Sequence, residues 1–451
     1  MSDLIKRDSI KWEPAIYPRS KWNTTTIERY ADAMIAGDQF PAMTLEEETN
    51  RLLDGKHRFE AYKLAEITDV LVEWKKVPEG IPIKLFAASL SARHGDRLNN
   101  EDTKTVVREC WNMMNGEKAP GKLVAKLLGR SEGTVSGYVS DLVAKHREDR
   151  RAKALRLSML GWTQGEIAER LGVDAKTIQR DGQNFDTELL SSGHTPDEIA
   201  LRLGLPIQIV LAIQFEKLSD QERLSKLNIK IQPYDVWHFQ GCHDLMGDEY
   251  PGRIPGELIC HVLYFMTKPG DLIIDPMVGS GTVLDACLLL GRKARGYDIN
   301  DQQERIDIEK YDLSNGWPET VKKANLIFWD PPYFDKKDAG YVEGSISAMA
   351  PDDYLNWISD RFKSLYDLVK KETILTFLMS DWDSENAKNY AGHSGIFQWD
   401  YVRELQATGW TVKRQIQIPL STQQVHPDIV NKFRASKRLA RLGRYLLVCE
   451  K

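Results

Sequence analysis

Cysteine is scarce: Cys110, Cys242, Cys260, Cys287 and Cys449 are the only five in 451 residues, and none forms a C-x-x-C pair. That excludes a disulfide framework and a clustered-thiolate zinc site, so no metal is expected and a reducing cytoplasm is. An apolar run of about 18 residues is also missing, so no membrane-spanning helix is expected. The opening residues, MSDLIKRDSIKWEP, lack the apolar core of a secretory signal. Net charge is only −5, which argues against a chain that coats nucleic acid indiscriminately. The average hides a gradient. Residues 116–185 hold 13 Lys and Arg against 9 Asp and Glu, so the middle is electropositive and the remainder acidic. At 451 residues, 42% hydrophobic and 28% charged, the chain exceeds one ordinary core, and two or three globular domains are expected.

Three regions follow from the patterning. Residues 1–105 contain RLLDGKHRFEAYKLAEI, which predicts a short strand, a glycine turn and a helix carrying Lys56, His57 and Arg58 at its N-terminus. Such an end is either an anion site or a turn with solvated charges. Residues 106–215 are helical and repeat one template three times: GKLVAKLLGRSEGTVSGY, QGEIAERLGVDAKTIQRD and PDEIALRLGLPIQIVLAI. Each copy has Ala at its fifth position (Ala125, Ala168, Ala200) and Gly at its ninth (Gly129, Gly172, Gly204). Apolar residues recur at the fourth, eighth and fifteenth. A small residue for close helix crossing, a glycine for the turn and a shared apolar core make a helix-turn-helix, whose second helix can enter a DNA major groove. The middle copy offers Lys176, Thr177, Gln179 and Arg180 to phosphates or base edges. The third is mostly apolar and reads as packing or dimerisation, which leaves a homodimer open. The alternative is a purely structural array of helical hairpins.

Residues 232–451 alternate apolar strands with amphipathic helices, which specifies a mainly parallel, doubly wound sheet with ligands beyond the carboxyl ends of its strands. LIIDPMVGSGT ends one strand in a glycine turn, with Gly279 and Gly281 letting the backbone approach a ligand. Asp298 ends the next strand, where a carboxylate can accept both hydroxyls of a ribose. No Lys follows the glycines, so a triphosphate is disfavoured, and an adenosine without phosphates fits better. NLIFWDPPY ends the fourth strand. Proline cannot continue a central ladder, so the chain turns out at Pro331–Pro332 and leaves the Pro331 carbonyl free. Asp330 and that carbonyl could each accept one N–H of an exocyclic amine, with Tyr333 stacked on its ring.

DPMVGSGT followed by DPPY resembles the amino-methyltransferases of DNA, over roughly 232–451. The resemblance implies a Rossmann-like methyltransferase sheet, S-adenosylmethionine as cofactor, and double-stranded DNA with a flipped-out target base as substrate. It carries cofactor roles to Asp275, Pro276, Gly279, Gly281, Thr282, Asp298, Asp312 and Pro255, and catalytic roles to Asp330, Pro331, Pro332 and Tyr333. An Asp at the start of the second motif favours adenine-N6; cytosine-N4 or RNA methylation is the alternative. Met277 stands where Phe is commoner. Gly55, Arg58 and Ala61 resemble the G-x-x-R-x-x-A box of the ParB-like N-terminal domain, and SARHGDRLNNED resembles a second stretch of that domain. The sequence departs from the nucleotide-hydrolysing members, so a structural or DNA-docking role is expected for Arg58. The whole reads as a multidomain α/β chain from a bacterium or phage, with a ParB-like α+β domain, a central all-α helix-turn-helix array and a methyltransferase domain. A DNA-binding partition or transcription regulator with a non-catalytic methyltransferase domain is the rival. FDKKDAGYVEGSISAMA is expected to be a loop over the target base. The basic stretch 425–444 is either a phosphate path or a solvated face.

Overall fold

A computed structural model describes residues 2–93, 98–114, 121–182, 193–249, 252–300, 305–333, 346–383, 395–419, 427–437 and 442–451. The chain forms two compact units, 1–148 and 149–451. This boundary falls inside the expected helical region 106–215, whose first template copy therefore lies in a different unit from the second and third.

The first unit begins with a four-stranded sheet, β1 (Ser2–Lys6), β2 (Met43–Glu46), β3 (Leu52–Asp54) and β4 (Asp69–Lys75), in the order β1-β4-β2-β3. Helices α1 (Thr24–Ile35) and α2 (Lys56–Leu64) cover it through Ala31, Met34, Phe59 and Tyr62. Helices α3 (Ile83–Arg93), α4 (Asn100–Met113), α5 (Gly121–Leu128) and the start of α6 (Glu132–Met159) build a second core around Val106, Cys110, Val124, Leu128 and Val135.

In the second unit the remaining template copies form α7 (Gln164–Leu171) with α8 (Ala175–Gly182), and α9 (Pro196–Leu203) with α10 (Ile207–Gln214). TQGE and TPDE are capping boxes, in which Thr163 and Thr195 bond the backbone of Glu166 and Glu198 and receive the reciprocal bond. Gly172 (φ +64°) and Gly204 (φ +62°) end α7 and α9 in the left-handed conformation that the template requires of its ninth residue. A third box, Ser219–Glu222, opens α11 (Asp220–Lys226).

The seven-stranded sheet comprises β5 (Leu272–Asp275), β6 (Lys293–Asp298), β7 (Ile308–Lys310), β8 (Leu326–Trp329), β9 (Ile374–Ser380), β12 (Thr411–Gln417) and β13 (Arg444–Glu450), in the order β12-β13-β9-β8-β5-β6-β7. Strands β10 (Trp382–Asp383) and β11 (Gly395–Ile396) form a separate short ladder. Strands β5 to β9 are parallel, and β13 runs antiparallel to β9 and β12. Successive strand residues alternate faces. Ile273, Leu326, Phe328 and Leu446 enter one core with α12 (Gly256–Met266) and α13 (Thr282–Leu290). Ile274, Ile327, Trp329 and Leu447 enter the opposite one with α14 (Pro351–Leu368) and α15 (Gln398–Ala407). The last helix is α16 (Pro427–Ala435). The order steps one way from β5 to β6 and β7, and the other way through β8 and β9. The chain therefore reverses between β5 and β8, and the carboxyl ends of these strands are where sheets of this kind take their ligands.

Candidate active site at the carboxyl edge of the sheet

Both conspicuous motifs flank that reversal. β5 ends at Asp275, Pro276 stops its ladder, and the turn runs to Gly281 (φ +79°), the N-cap of α13. β6 ends at Asp298, Asp312 lies two residues past β7, and Asp330 follows β8 directly. Parallel pairing puts all these ends on one edge.

Asp298 is buried, and its carboxylate receives the Gly279 N–H at 3.0 Å and the Asn300 N–H at 2.9 Å. Burial nevertheless raises its pKa. Asp275 is buried and accepts the Met277 N–H at 3.0 Å. Its pKa is raised well above the usual range, first by burial and then by the charges of Asp330 and Asp298. Asp275 thus senses both of these carboxyl groups at this edge of the sheet. Asp312 is half-buried and accepts the Ser314 N–H at 2.8 Å.

The glycine turn is closed from outside by Gly247 and Asp248, the latter donating its N–H to the Ser280 carbonyl at 2.9 Å. Thr282 is 1% exposed; its hydroxyl pairs with Ser280 at 2.9 Å, and Gly247 packs on both. Thr282 is therefore a packing contact in this structure. Pro255 is the buried N-cap of α12, and a side chain at Gly256 would strike Met246. Gly281 serves a purpose the sequence did not disclose. A Cβ there would lie 2.4 Å from the Arg305 guanidinium, so its bareness admits an arginine of this chain and not only a ligand.

Arg305 belongs to a buried network that sequence reasoning missed. Arg305 and Arg156 both pair with Asp285 and Asp307. Asp285 also accepts the Gly247 N–H at 2.7 Å. Burial alone would raise the Asp307 pKa, but the two guanidinium charges outweigh it and hold it below the ordinary range. Only Asp285 lies near a motif, so no local pattern marked the set.

Pro331 is buried, while Asp330, Pro332 and Tyr333 are half-buried. The buried Tyr354 hydroxyl donates to the Pro332 carbonyl at 3.2 Å, which fixes the outward turn. Tyr354 and Tyr333 also influence Tyr401, whose phenol pKa is pushed up chiefly by burial. Phe334 and most of the expected loop, through residue 345, lie outside the described residues.

The helices outside the sheet bear on targeting. On α8, Lys176, Gln179 and Arg180 are exposed and Thr177 is half-buried, while Ile178 enters the core. Asp174 accepts the Thr177 N–H at 2.8 Å and holds the start of the helix. In α10, Ile209, Val210 and Ala212 are buried in the sheet's own core, which is the packing role expected of the third copy. In the basic stretch, Arg434 and Lys437 are exposed, but Arg444 is buried and bonds the Ile418 carbonyl at 3.4 Å, so it does not line a phosphate path. Arg438 and Arg441 lie outside the described residues.

Within the first unit, Arg58 makes internal contacts, as the structural one of its two expected roles requires. Its guanidinium donates to the carbonyls of Pro41 (2.7 Å) and Ala42 (2.8 Å) and to Asp54 (3.0 Å), bracing strand against helix. Lys56 is buried, paired with Glu60 and 3.7 Å from the Trp12 ring centroid. These internal partners draw the basic side chains away from an anion at the end of α2. Part of the second ParB-like stretch, 94–97, lies outside the described residues.

Residues 208–309 match the family described as DNA methylase, and residues 145–180 match a homeodomain-like domain. The first match covers the glycine turn and Asp298 and stops before Asp330. The chain is similar to the DNA adenine methyltransferase YhdJ of Escherichia coli K12, at 31% identity over 86 residues, 18% of this chain and 29% of that protein. It is also similar to the type II methyltransferase M.HpaI of Haemophilus parainfluenzae, at 33% over 84 residues, 17% and 27% of the two chains. The chain thus spans less than a third of the length of these relatives. Among solved structures, a likeness to the chromosome-partitioning protein ParB of Caulobacter crescentus covers 48% of this chain and 99% of that one, with 11% identity and a TM-score of 0.24.

Proposed function

We propose that this chain transfers a methyl group from S-adenosylmethionine to the exocyclic amine of a base flipped out of double-stranded DNA, with adenine-N6 as the target. The observation that supports this best is the gathering of three aspartates at the carboxyl ends of β5, β6 and β8. Asp275, Asp298 and Asp330 surround a glycine turn, while the guanidinium packed on that turn, Arg305, is neutralised by Asp285 and Asp307. A phosphate would meet repulsion there. An adenosine bearing a positive charge would be attracted, and so would an N–H donor.

The residues present fit that cofactor. Each Asp298 oxygen accepts one backbone N–H, which leaves acceptor capacity for a vicinal diol. Bound there, the cofactor would supply an electrophilic methyl group on a sulfonium. Asp330 and the Pro331 carbonyl would each accept one N–H of the target amine, turning its lone pair out of conjugation with the ring. Tyr333 would stack on the base. Orientation does most of the work, because the amine needs no strong base before it attacks. Sequence choice falls to α8 through Lys176, Thr177, Gln179 and Arg180.

The test is to incubate duplex DNA with the protein and S-adenosylmethionine, digest to nucleosides and identify the product. N6-methyladenine is expected. N4-methylcytosine would replace the target assignment, and the absence of any methylated nucleoside would overturn the reading.

A further inference from the structure

β9 pairs with β8, so its carboxyl end lies beside the Asp330 loop. Beyond it, two hydrogen bonds fix the start of α15: Asp381 accepts the Gln398 N–H at 2.8 Å, and Asp400 accepts the Phe397 N–H at 2.9 Å. Phe397 is half-buried, and Trp399 lies on it with ring centroids 4.6 Å apart and planes within 22°. Trp399 nevertheless remains 56% exposed. Two residues further on, buried Tyr401 packs on Phe377 of β9 with ring centroids 5.4 Å apart, which ties the start of α15 to the strand beside the Asp330 loop. A singly exposed aromatic ring is ordinary. A parallel pair held by two capping bonds, at the same sheet edge as Tyr333, is a preorganised flat surface of the kind that unpaired bases stack upon.

We infer that Phe397 and Trp399 form a second stacking platform, which receives a nucleobase of the DNA that has lost its neighbour to extrusion toward Tyr333. This rests on the proposed function for its substrate, but it concerns binding and not methyl transfer.

The test compares a duplex oligonucleotide carrying a central mismatched bubble with the same duplex fully paired, measured by fluorescence anisotropy with no cofactor present. The full-length protein should prefer the bubble. Trp399→Ala should reduce bubble affinity by about 5- to 150-fold, the span of base–aromatic stacking. It should leave the paired duplex and calorimetric S-adenosylmethionine binding unchanged. Trp399→Phe keeps a stacking ring and should retain most of the preference. Equal losses on both duplexes, no bubble preference in the parent protein, or a full preference in Trp399→Ala would each overturn the platform. A parent protein that prefers the bubble yet methylates no DNA would tell against the proposed function and leave the platform standing.

Discussion

Asp330→Asn isolates the group on which the proposed chemistry depends. The position is rigid. β8 is paired on both sides, and Trp329 immediately before it is fully buried against Trp317, Phe362 and Phe377 at 5.2–5.4 Å between ring centroids. Asn is nearly isosteric, so the loss is of charge and acceptor strength, not of the turn. Removing one preorganised group that orients a reacting centre costs about 10²–10³ in rate, or about 2.7–4 kcal/mol. Single-turnover transfer of a radiolabelled methyl group, at saturating cofactor and DNA, reads that step directly. Cofactor affinity should survive, because Asp298 and the glycine turn are untouched. A second readout comes from Asp275. Burial chiefly raises its pKa, and the Asp330 charge adds to that. A raised carboxyl contributes stability that is present at acid pH and lost as pH rises through the folded value. Asp330→Asn should therefore lower the Asp275 pKa toward the normal range and lessen the stability lost between acid and neutral pH. A variant that transfers methyl groups at near the parent rate would reduce DPPY to a strand-ending turn and take the methyl-transfer reading down with it.

Asp298→Ala removes acceptors for two ribose hydroxyls, each worth about 1.5–3 kcal/mol, so calorimetry should show more than a tenfold loss of S-adenosylmethionine affinity. Because burial raises the Asp298 carboxyl, parent affinity should begin to fall on acidification at a higher pH than an ordinary carboxylate would give, and the variant should lack that limb. Replacing Lys176, Gln179 and Arg180 together with Ala should weaken duplex binding and flatten its salt dependence, since fewer counterions are released; unchanged binding would make α8 purely structural. Asp307→Ala leaves Arg156 and Arg305 short of a buried counter-charge and should cost about 3–5 kcal/mol in denaturant unfolding. Asp307 is depressed in the folded state, so its contribution is present at neutral pH and lost on acidification, and the variant's acid limb should be shallower.

The sheet and the ends of its strands were legible because buried parallel strands read as short apolar runs and the chain punctuates their ends with Gly and Pro. The helix pairs were legible because each glycine ninth in the template is needed at positive φ. What each pair packs against was not. The template is local, and the same apolar spacing sends Val124 and Val135 into a core with Val106 and Cys110, but Ile167 and Ile178 into one with α12 and α13. Side-chain direction was equally hidden. Arg58 and Lys56 look like anion ligands in sequence, yet backbone carbonyls, Asp54, Glu60 and Trp12 hold them inside. Gly281 was legible as a turn. The arginine that fills its bare side comes from 24 residues later in the chain, where no pattern points back to it.

The second unit carries its candidate reading helix in the same core as its candidate catalytic edge. Arg156 of α6 pairs with Asp285 and Asp307, and Arg170 of α7 caps the carbonyls of Ile306 and Ile308 along edge strand β7. The Leu160 carbonyl accepts the Ala294 N–H of β6 at 3.0 Å. Trp162 lies under the Arg295 guanidinium at 4.5 Å. A module on a flexible linker would search a volume set by the linker and could present many bases to one site. Helices tied to β6 and β7 cannot. Under the proposed function, a duplex held on α8 would present its bases at a fixed offset from Asp330, so methylation should fall at one position relative to the sequence that α8 reads. The network responsible is the one that also presses Arg305 against Gly281. Loosening α6 should therefore disturb the glycine turn as well as the choice of base.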